Sequence, residues 1–181
     1  MIFLVGTSDT KAAELGYLRD LISRGGQSVC LVDVGTRAPG CAVDVAAVDV
    51  AGYHPGGPGA VLDGDDRGRA VAAMGDAFSR FCAVQTDQID AMIGIGGGGG
   101  TSIISQGMRT LPYGVPKIMV STLAAGDVAP YVGTSDIIMM PSVTDLAGLN
   151  RISRHILHNA AQSVLGMAAH PYTAPDRVKP S

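Results

Sequence analysis

The 181-residue chain has the length of a single domain and is long enough to bury a substantial hydrophobic core. Apolar residues make up 46% of the chain and charged residues 16%, which excludes an intrinsically disordered segment and a solvated coiled coil. The net charge is −3 and Lys and Arg do not cluster, so nucleic acid is not expected as a partner.

The sequence also argues against a membrane or secreted protein. No apolar stretch approaches the roughly 20 residues that a bilayer-spanning helix needs. The start, MIFLVGTSDT, lacks basic residues, and its apolar run is too short for a signal peptide. Cys30, Cys41 and Cys82 show no metal-ligand spacing and are expected to be ordinary thiols. We therefore expect a cytoplasmic protein with no membrane partner.

The first part of the chain predicts a β-α-β unit. The apolar run over residues 1–5, closed by Gly6, is typical of a strand buried on both faces. Apolar residues at helical spacing predict a helix from about Thr10 to Arg24, and a second strand over residues 28–32 ends at Asp33. Two such strands joined through a helix imply a parallel pair with a right-handed crossover.

The rest of the chain continues the alternation of strands and helices. Residues 35–65 are rich in Gly and Pro and are expected to form a long surface excursion. The predicted elements that follow are a helix from near 66, a strand over 91–95, a helix to about 110, strands over 116–121 and 137–140, and a helix over about 146–168.

This alternation predicts an α/β fold, with an open, mostly parallel sheet and helices on both faces. We expect one Rossmann-like domain over residues 1–169. Residues 170–181, which contain three prolines, are expected to be a tail or a linker to a second subdomain.

Five consecutive glycines, Gly96 to Gly100, stand between a predicted strand and a predicted helix in the segment GIGGGGGTS. Each glycine costs conformational entropy on folding, so the run needs a reason. A helix N-terminus behind glycines presents free N–H groups and a partial positive charge, which suits a phosphate group. A purely structural turn is the alternative. The segment is not a Walker A loop, because Gly100 stands where that motif has Lys.

Ligands of open α/β sheets bind beyond the carboxyl ends of the strands. Three predicted strand ends bring small hydrogen-bonding residues to that rim. Lys11, in the first turn of the first helix, either reaches a phosphate or is solvated. The candidate nucleotide-binding residues at this rim are Gly6, Thr7, Asp9, Thr10, Lys11, Asp33, Gly96, Gly97, Gly98, Gly99, Gly100, Thr101, Ser121 and Thr122.

The tetrapeptide Gly-Thr-Ser-Asp occurs twice, at residues 6–9 and 133–136. Mg²⁺ and phosphate oxygens favour hydroxyl and carboxylate groups, so Gly133 and Thr134 are further binding candidates, and Asp9 or Asp136 is a candidate metal ligand. Asp-capped turns explain both copies equally well.

The residues do not support an NAD-dependent oxidoreductase. Glycines at 94, 96 and 99 match the dinucleotide fingerprint, but in a polyglycine run that match is nearly automatic. No acidic residue lies between Asp90 and Asp127, where the ribose ligand would be expected. Asp33 ends a strand as a ribose ligand does, yet the first strand–helix turn, GTSDT, lacks the glycine pattern. No arrangement of residues identifies a catalytic group.

Three segments carry a resemblance to a known family: GTSDTKAAEL at the start, LVDVG at 31–35, and the long segment 108–167 that includes MVSTLAAGDVAPYVGTSDIIMMPS. They resemble the Tm-one-like ATP-binding protein family. The resemblance implies a Rossmann-like N-terminal subdomain, ATP binding with Mg²⁺, and homodimers. Gly98 and Ala125 stand where family members usually have Ser, which removes two hydroxyls that could contact phosphate.

Members of that family usually continue into a second α/β subdomain of similar size. The expected function is therefore ATP binding by the N-terminal half of a protein with an unassigned reaction. The alternative is a partner-binding or regulatory subunit in which the nucleotide is structural. A second subdomain or a separately encoded partner is expected to dock, and the last helix is expected to contribute to the dimer contact.

Overall fold

The structure is a computed structural model that describes residues 1–172. Its sheet has five parallel strands in the order β2-β1-β3-β4-β5. They are β1 (Ile2–Gly6), β2 (Val29–Asp33), β3 (Ala91–Gly96), β4 (Lys117–Ser121) and β5 (Ile138–Pro141). The predicted open α/β sheet is confirmed, and every pair of neighbouring strands is parallel.

Seven helices surround the sheet in the described part of the chain. They are α1 (Ser8–Arg24), α2 (Ala47–Ala51), α3 (Gly59–Leu62), α4 (Arg67–Gln85), α5 (Gly98–Met108), α6 (Ala129–Val132) and α7 (Arg151–Ala169), with a short 3₁₀ helix at Thr86–Gln88. Helices α1 and α7 pack on one face of the sheet, and α4 and α5 pack on the other. The predicted arrangement with helices on both faces is confirmed.

Strand β1 shows why the apolar runs form central strands. Its side chains alternate between two cores: Phe3 and Val5 pack toward α4 and α5, while Ile2 and Leu4 pack toward α1 and α7. All four are at most 3% exposed, as expected for a strand covered on both faces.

Residues 35–65 are not simply a surface excursion. They contain the short helices α2 and α3, and Val50, Ala51 and Val61 are buried in the core that α4 lines. The prediction was wrong in this respect because each apolar group is too short to show a helical period.

The last helix begins at Arg151 rather than near residue 146. Asn150 caps it, since its side-chain oxygen accepts hydrogen bonds from the N–H groups of Ile152 at 2.8 Å and Ser153 at 2.9 Å. The apolar face of α7, with Leu157 and Val164, is buried within the domain. The face left open to a partner is therefore mostly polar, and it includes Ile152, which is 43% exposed. The predicted tail over 170–181 lies outside the described residues from 173 onward.

No helix in residues 1–172 is both long enough and apolar enough to span a bilayer.

The edge of the sheet at the amino ends of the strands holds a buried charge. Lys117, the first residue of β4, is 1% exposed, and its ammonium group donates to the carbonyls of Pro112 and Val115, both at 2.8 Å. It also pairs with Asp136 at 2.8 Å. Partial burial acts to raise the pKa of Asp136. This effect is outweighed by the hydrogen bonds from Lys117 and the Gly114 N–H and by the positive charge of Lys117, so the pKa is lowered.

Replacing Asp136 with Asn should destabilise the fold by about 1 kcal/mol at pH 7, because the buried ammonium group loses its anionic partner and keeps two carbonyls. The lowered pKa means that the carboxylate stabilises the fold above its unfolded-state pKa of about 4, and that this contribution disappears as pH falls through the folded-state pKa. Urea unfolding at pH 7 and at pH 3 measures the difference. Asp87→Asn, at an exposed carboxylate of the 3₁₀ helix, is the control. Equal stability of Asp136→Asn and the parent at pH 7 would contradict this account.

Candidate functional site

A cavity of about 450 Å³ opens at the carboxyl ends of β1 and β3. These strands are neighbours, but α1 leaves β1 toward one face of the sheet and α5 leaves β3 toward the other. The divergence opens a crevice of the kind in which open α/β sheets bind ligands. The predicted residues that line this crevice cavity are Thr7, Asp9, Thr10, Lys11, Gly97, Gly98, Gly99 and Gly100.

The glycine run forms a helix terminus rather than a loop. Helix α5 begins at Gly98, and the first bond of the helix runs from the Thr101 N–H to the Gly97 carbonyl at 2.8 Å. Within residues 1–172, no protein group accepts a hydrogen bond from the N–H groups of Gly98, Gly99 or Gly100. Three donors at the positive end of the helix dipole therefore remain open on residues that line the cavity.

Other long helices in the domain have side-chain caps. Asp66 accepts from the N–H groups of Gly68 and Arg69 at the start of α4, and Asn150 caps α7. At α1 the N-cap residue Thr7 makes no side-chain bond, but the Asp33 carboxylate accepts from the N–H of Ser8, the first residue of the helix. Helix α5 has no side-chain cap, and its terminus faces the crevice cavity.

Packing explains one glycine of the run and leaves four unexplained. A Cβ on Gly96 would lie 2.8 Å from backbone atoms of Gly100 and Thr101, so any side chain there would displace α5 from β3. At Gly97 to Gly100 the nearest atom to such a Cβ lies 3.4 to 3.9 Å away, and none of these residues has a positive φ. The fold itself would accept Ala at these four positions, and the lack of side chains leaves the backbone accessible to a ligand.

Asp33 does not line the crevice cavity; instead it is hydrogen-bonded to residues next to it. The residue is 1% exposed, and its carboxylate accepts from the Ser8 N–H at 2.9 Å, the Gly35 N–H at 2.8 Å and the Ser8 hydroxyl at 2.5 Å. These bonds fix the turn after β1 against the end of β2. Both carboxylate oxygens are engaged inside the protein, so the structure gives Asp33 a positioning role.

Asp9 lies on the wall of the cavity and is incompletely satisfied. Its Oδ1 atom is buried and has no hydrogen-bond partner within the described residues. A buried carboxylate oxygen without a partner is costly, and a cation, a water or another hydrogen-bond donor would relieve it. Nearby, the hydroxyls of Thr7 and Thr10 are hydrogen-bonded to each other at 2.8 Å.

The second Gly-Thr-Ser-Asp copy lies at the opposite edge of the sheet. It precedes β5 instead of following a strand, and Asp136 pairs with Lys117 at the amino end of β4. Five residues of strand separate the two edges by roughly 15 Å. Gly133, Thr134 and Asp136 therefore do not line the crevice cavity, and Asp9 is the one of the two predicted carboxylates that does.

Within residues 1–172, no group of three or more His, Cys, Asp or Glu residues is placed to hold a metal ion. Mg²⁺ does not need such a group, since it commonly binds one or two carboxylates together with substrate phosphates and water. Cys30, Cys41 and Cys82 are free thiols, and burial raises the pKa of each.

Thr101, Ser121 and Thr122 lie beside the cavity rather than on its wall. The hydroxyls of Thr101 and Ser121 are 2.6 Å apart and tie α5 to the end of β4. Thr122 and Ser121 instead line a second cavity of about 270 Å³ at the carboxyl ends of β4 and β5.

Residues 142–150, here named the strap, form a wall of this second cavity. The Lys11 ammonium group donates to the carbonyl of Leu146, and Glu14 accepts from the Gly148 N–H at 2.7 Å, so the strap is held against α1. Val143 has a φ of 65° and is exposed, and the Thr144 hydroxyl oxygen is buried without a partner.

Sequence reasoning missed the residues that β2 and α4 contribute. Thr36 and Arg37 follow the end of β2, and Arg67 begins α4; all three line the crevice cavity. The strand-end rule that selected Thr7 applies equally to Thr36 and Arg37 and could have found them. Val143 and Thr144 carried no sequence signal, because Val rarely adopts a positive φ.

Residues 1–173 match the family model described as "Uncharacterised protein family (UPF0261) N-terminal domain". The chain belongs to this family. A UPF0261 protein of Mesorhizobium japonicum is 65% identical over 180 residues, which cover 99% of this chain and 45% of that protein. A UPF0261 protein of Clostridium tetani is 39% identical, over 92% of this chain and 42% of its own length.

The UPF0261 match extends to a plant protein. The ToMV resistance protein Tm-1 of Solanum lycopersicum is 37% identical over 184 residues, which cover 92% of this chain and 24% of that protein. The predicted membership of the Tm-one-like family is confirmed. This UPF0261 chain spans less than half the length of the curated relatives it matches.

The positive φ of Val143 predicts how a substitution in the strap changes the free energy of unfolding. The left-handed region costs an L-residue about 1–2 kcal/mol, while glycine loses only about 0.5–1 kcal/mol through its greater freedom in the unfolded chain. Val143→Gly should therefore raise the free energy of unfolding by about 0.5 kcal/mol, measured by urea denaturation.

Val84 provides a matched control for Val143. It lies in α4 and is 67% exposed, against 70% for Val143. Val84→Gly should lower stability by about 0.5 kcal/mol, because glycine is a poor helix former. Equal destabilisation by both substitutions would show that the strap is not strained at Val143.

Proposed function

We propose that the crevice cavity binds ATP with Mg²⁺, and that this domain is the nucleotide-binding N-terminal half of a larger protein with an unassigned reaction. The observation that carries the proposal is the run Gly97 to Gly100. These four residues line the cavity, three of their N–H groups have no acceptor in the described chain, and the fold does not require glycine at any of them. Phosphate is the ligand group that such a helix terminus recognises.

The charges around the cavity support the same ligand. Lys11, Arg37 and Arg67 line it and outnumber the two carboxylates of its wall, Asp9 and Asp65, so the lining adds positive charge to that of the α5 terminus. Asp9 supplies the carboxylate that would hold Mg²⁺ beside the phosphates, which is the chemistry of ATP sites. Mg²⁺ there would neutralise phosphate charge, and the orphaned Asp9 oxygen fits this role.

The remaining wall suits the rest of a nucleotide. Leu62, Val71 and Ile103 give the cavity an apolar part on the side of α4 and α5. A volume of about 450 Å³ falls in the range of small-molecule sites, which combine an apolar lining with a few fixed polar groups. The base and the phosphates would thus contact different walls.

The burial and hydrogen bonds of Asp33 favour ATP over a dinucleotide as the ligand. A ribose ligand needs a free carboxylate at the end of β2, whereas Asp33 is buried and hydrogen-bonded to Ser8 and Gly35. The glycine run also follows β3 rather than β1. An oxidoreductase function with NAD therefore has no support from the geometry.

The proposal includes a larger assembly. The relatives are more than twice as long as this chain, so we infer that a further domain or a separately encoded partner docks on this one, and that the protein forms homodimers. A nucleotide with a structural or regulatory role fits the same cavity. ATP turnover by the chain with and without the second half of the protein separates that role from a catalytic one.

Gly97→Val tests the phosphate contact. The nearest atom to the added Cβ lies 3.8 Å away and the φ of −83° suits Val, so the fold should survive. A branched side chain on this backbone should block the approach of phosphate and weaken ATP binding at least tenfold by calorimetry. The ATP-induced rise in melting temperature should also disappear. Gly166→Val, at an open position on α7, should leave ATP binding unchanged. A normal ATP response from Gly97→Val would refute the phosphate site.

Asp9→Asn tests the metal contact. The substitution keeps the size of the side chain and removes its charge, so ATP affinity should become nearly independent of Mg²⁺ in titrations with MgCl₂ or EDTA. Asp136→Asn is the control: it loses stability but should keep the full Mg²⁺ dependence of the parent. An Asp9→Asn variant with the parent's Mg²⁺ dependence would show that this carboxylate does not contact the ion.

A further inference from the structure

The second cavity adjoins the proposed phosphate site. It has a volume of about 270 Å³ and lies between the carboxyl ends of β4 and β5 and the strap. A Cβ on Gly97 would lie 3.8 Å from the Thr122 hydroxyl, so the first residue of the α5 terminus and the second cavity share a boundary. A ligand in the second cavity would therefore lie next to one in the crevice cavity.

Three polar side chains of the second cavity make no hydrogen bond within the described residues, and one of them, Thr144, has a buried hydroxyl oxygen. The Ser121 hydroxyl is engaged with Thr101, and the Ser142 hydroxyl donates to the Thr144 carbonyl at 2.7 Å. By contrast, the side chains of Thr122 and Asp145 make no hydrogen bond or ion pair to other groups of residues 1–172. The cavity thus offers the Thr122 hydroxyl and the exposed Asp145 carboxylate to a ligand, beside the buried Thr144 hydroxyl.

Three apolar residues, Ala125, Pro141 and Val143, line the wall beside the polar groups. A ligand that matches this wall has a short hydrocarbon skeleton with a hydrogen-bond donor, and the carboxylate favours a donor that is positively charged.

The strap is held in a costly conformation at this cavity. Val143 has a positive φ and the Thr144 hydroxyl oxygen is buried without a partner, while Lys11 and Glu14 fix the strap from α1. Strained backbone persists only where its surroundings hold it, and it concentrates at ligand sites. The wall of the second cavity is therefore formed before any ligand binds.

We propose that the second cavity is a separate ligand subsite for a small amino alcohol or a related amine. Its ammonium group pairs with the Asp145 carboxylate, its hydroxyl contacts Thr122, and its carbon skeleton packs on Pro141 and Val143. This inference builds on the proposed nucleotide function, because the subsite would hold the second ligand of the same centre. Binding there can nevertheless be measured without any nucleotide.

Three probes with one carbon skeleton test the charge preference: 1-amino-2-propanol, propane-1,2-diol and lactate, which are cationic, neutral and anionic at pH 7. Each is titrated into the ¹⁵N-labelled chain, and the amide shifts of residues 121–125 and 142–146 are followed. We expect the amine to saturate these shifts in the millimolar range, the diol to bind at least threefold more weakly, and lactate to leave them unchanged. Lactate binding as well as the amine, or no saturable shift with any probe up to 100 mM, would overturn the proposal.

Asp145→Asn then assigns the preference to a residue. It should reduce amine affinity to that of the diol, whereas Asp87→Asn, at an exposed carboxylate at the other edge of the sheet, should not change it. An unchanged amine affinity in Asp145→Asn would reject this carboxylate as the ligand group. A titration of Mg²⁺-ATP in the same sample separates the two proposals: ATP binding without amine binding refutes the subsite alone, and amine binding without ATP binding refutes only the nucleotide site.

Discussion

The first turn of α5 lies directly against the last residue of β3, and this contact is possible only because Gly96 has no side chain. The contact places the start of the helix at the rim of the sheet, next to the turn after β1. Ser8 and Gly35 hold that turn against Asp33, so both walls of the crevice are fixed by buried polar or backbone contacts. The open N–H groups of the glycine run are therefore preorganised, and a ligand there need not order a flexible loop.

The cavity combines charges of both signs, and their arrangement decides what it can bind. Helix α5 contributes the positive end of its dipole and Lys11 adds an ammonium group that now contacts the strap, while Asp9 has a buried oxygen without a partner. Phosphate alone would satisfy the first two groups and leave Asp9 beside another anion. Phosphate together with Mg²⁺ would satisfy all of them, which is why the proposed ligand is a nucleotide with its metal ion.

Much of the fold follows from the sequence because the three central strands, β1, β3 and β4, are buried on both faces and are rich in apolar residues. Helix α5 was harder to predict: three glycines in a first turn resemble a loop, and only packing of the turn on Gly96 makes them helical. The repeated tetrapeptide Gly-Thr-Ser-Asp could not be placed from its sequence for a different reason. The same four residues follow β1 in one copy and precede β5 in the other, so the sheet places Asp9 and Asp136 at opposite edges. Val143 was unpredictable because Val rarely adopts a positive φ.

The central claim is that the backbone N–H groups at the start of α5 bind phosphate, and backbone amide shifts report on them directly. The measurement is a ¹H–¹⁵N titration of the chain with ATP in the presence of Mg²⁺. The account predicts that the amides of Gly98, Gly99 and Gly100 shift downfield as they gain an anionic acceptor, with the same saturation curve as ATP binding measured by calorimetry. If ATP saturates the protein while these three amides remain unchanged, the nucleotide is held elsewhere and the account is contradicted.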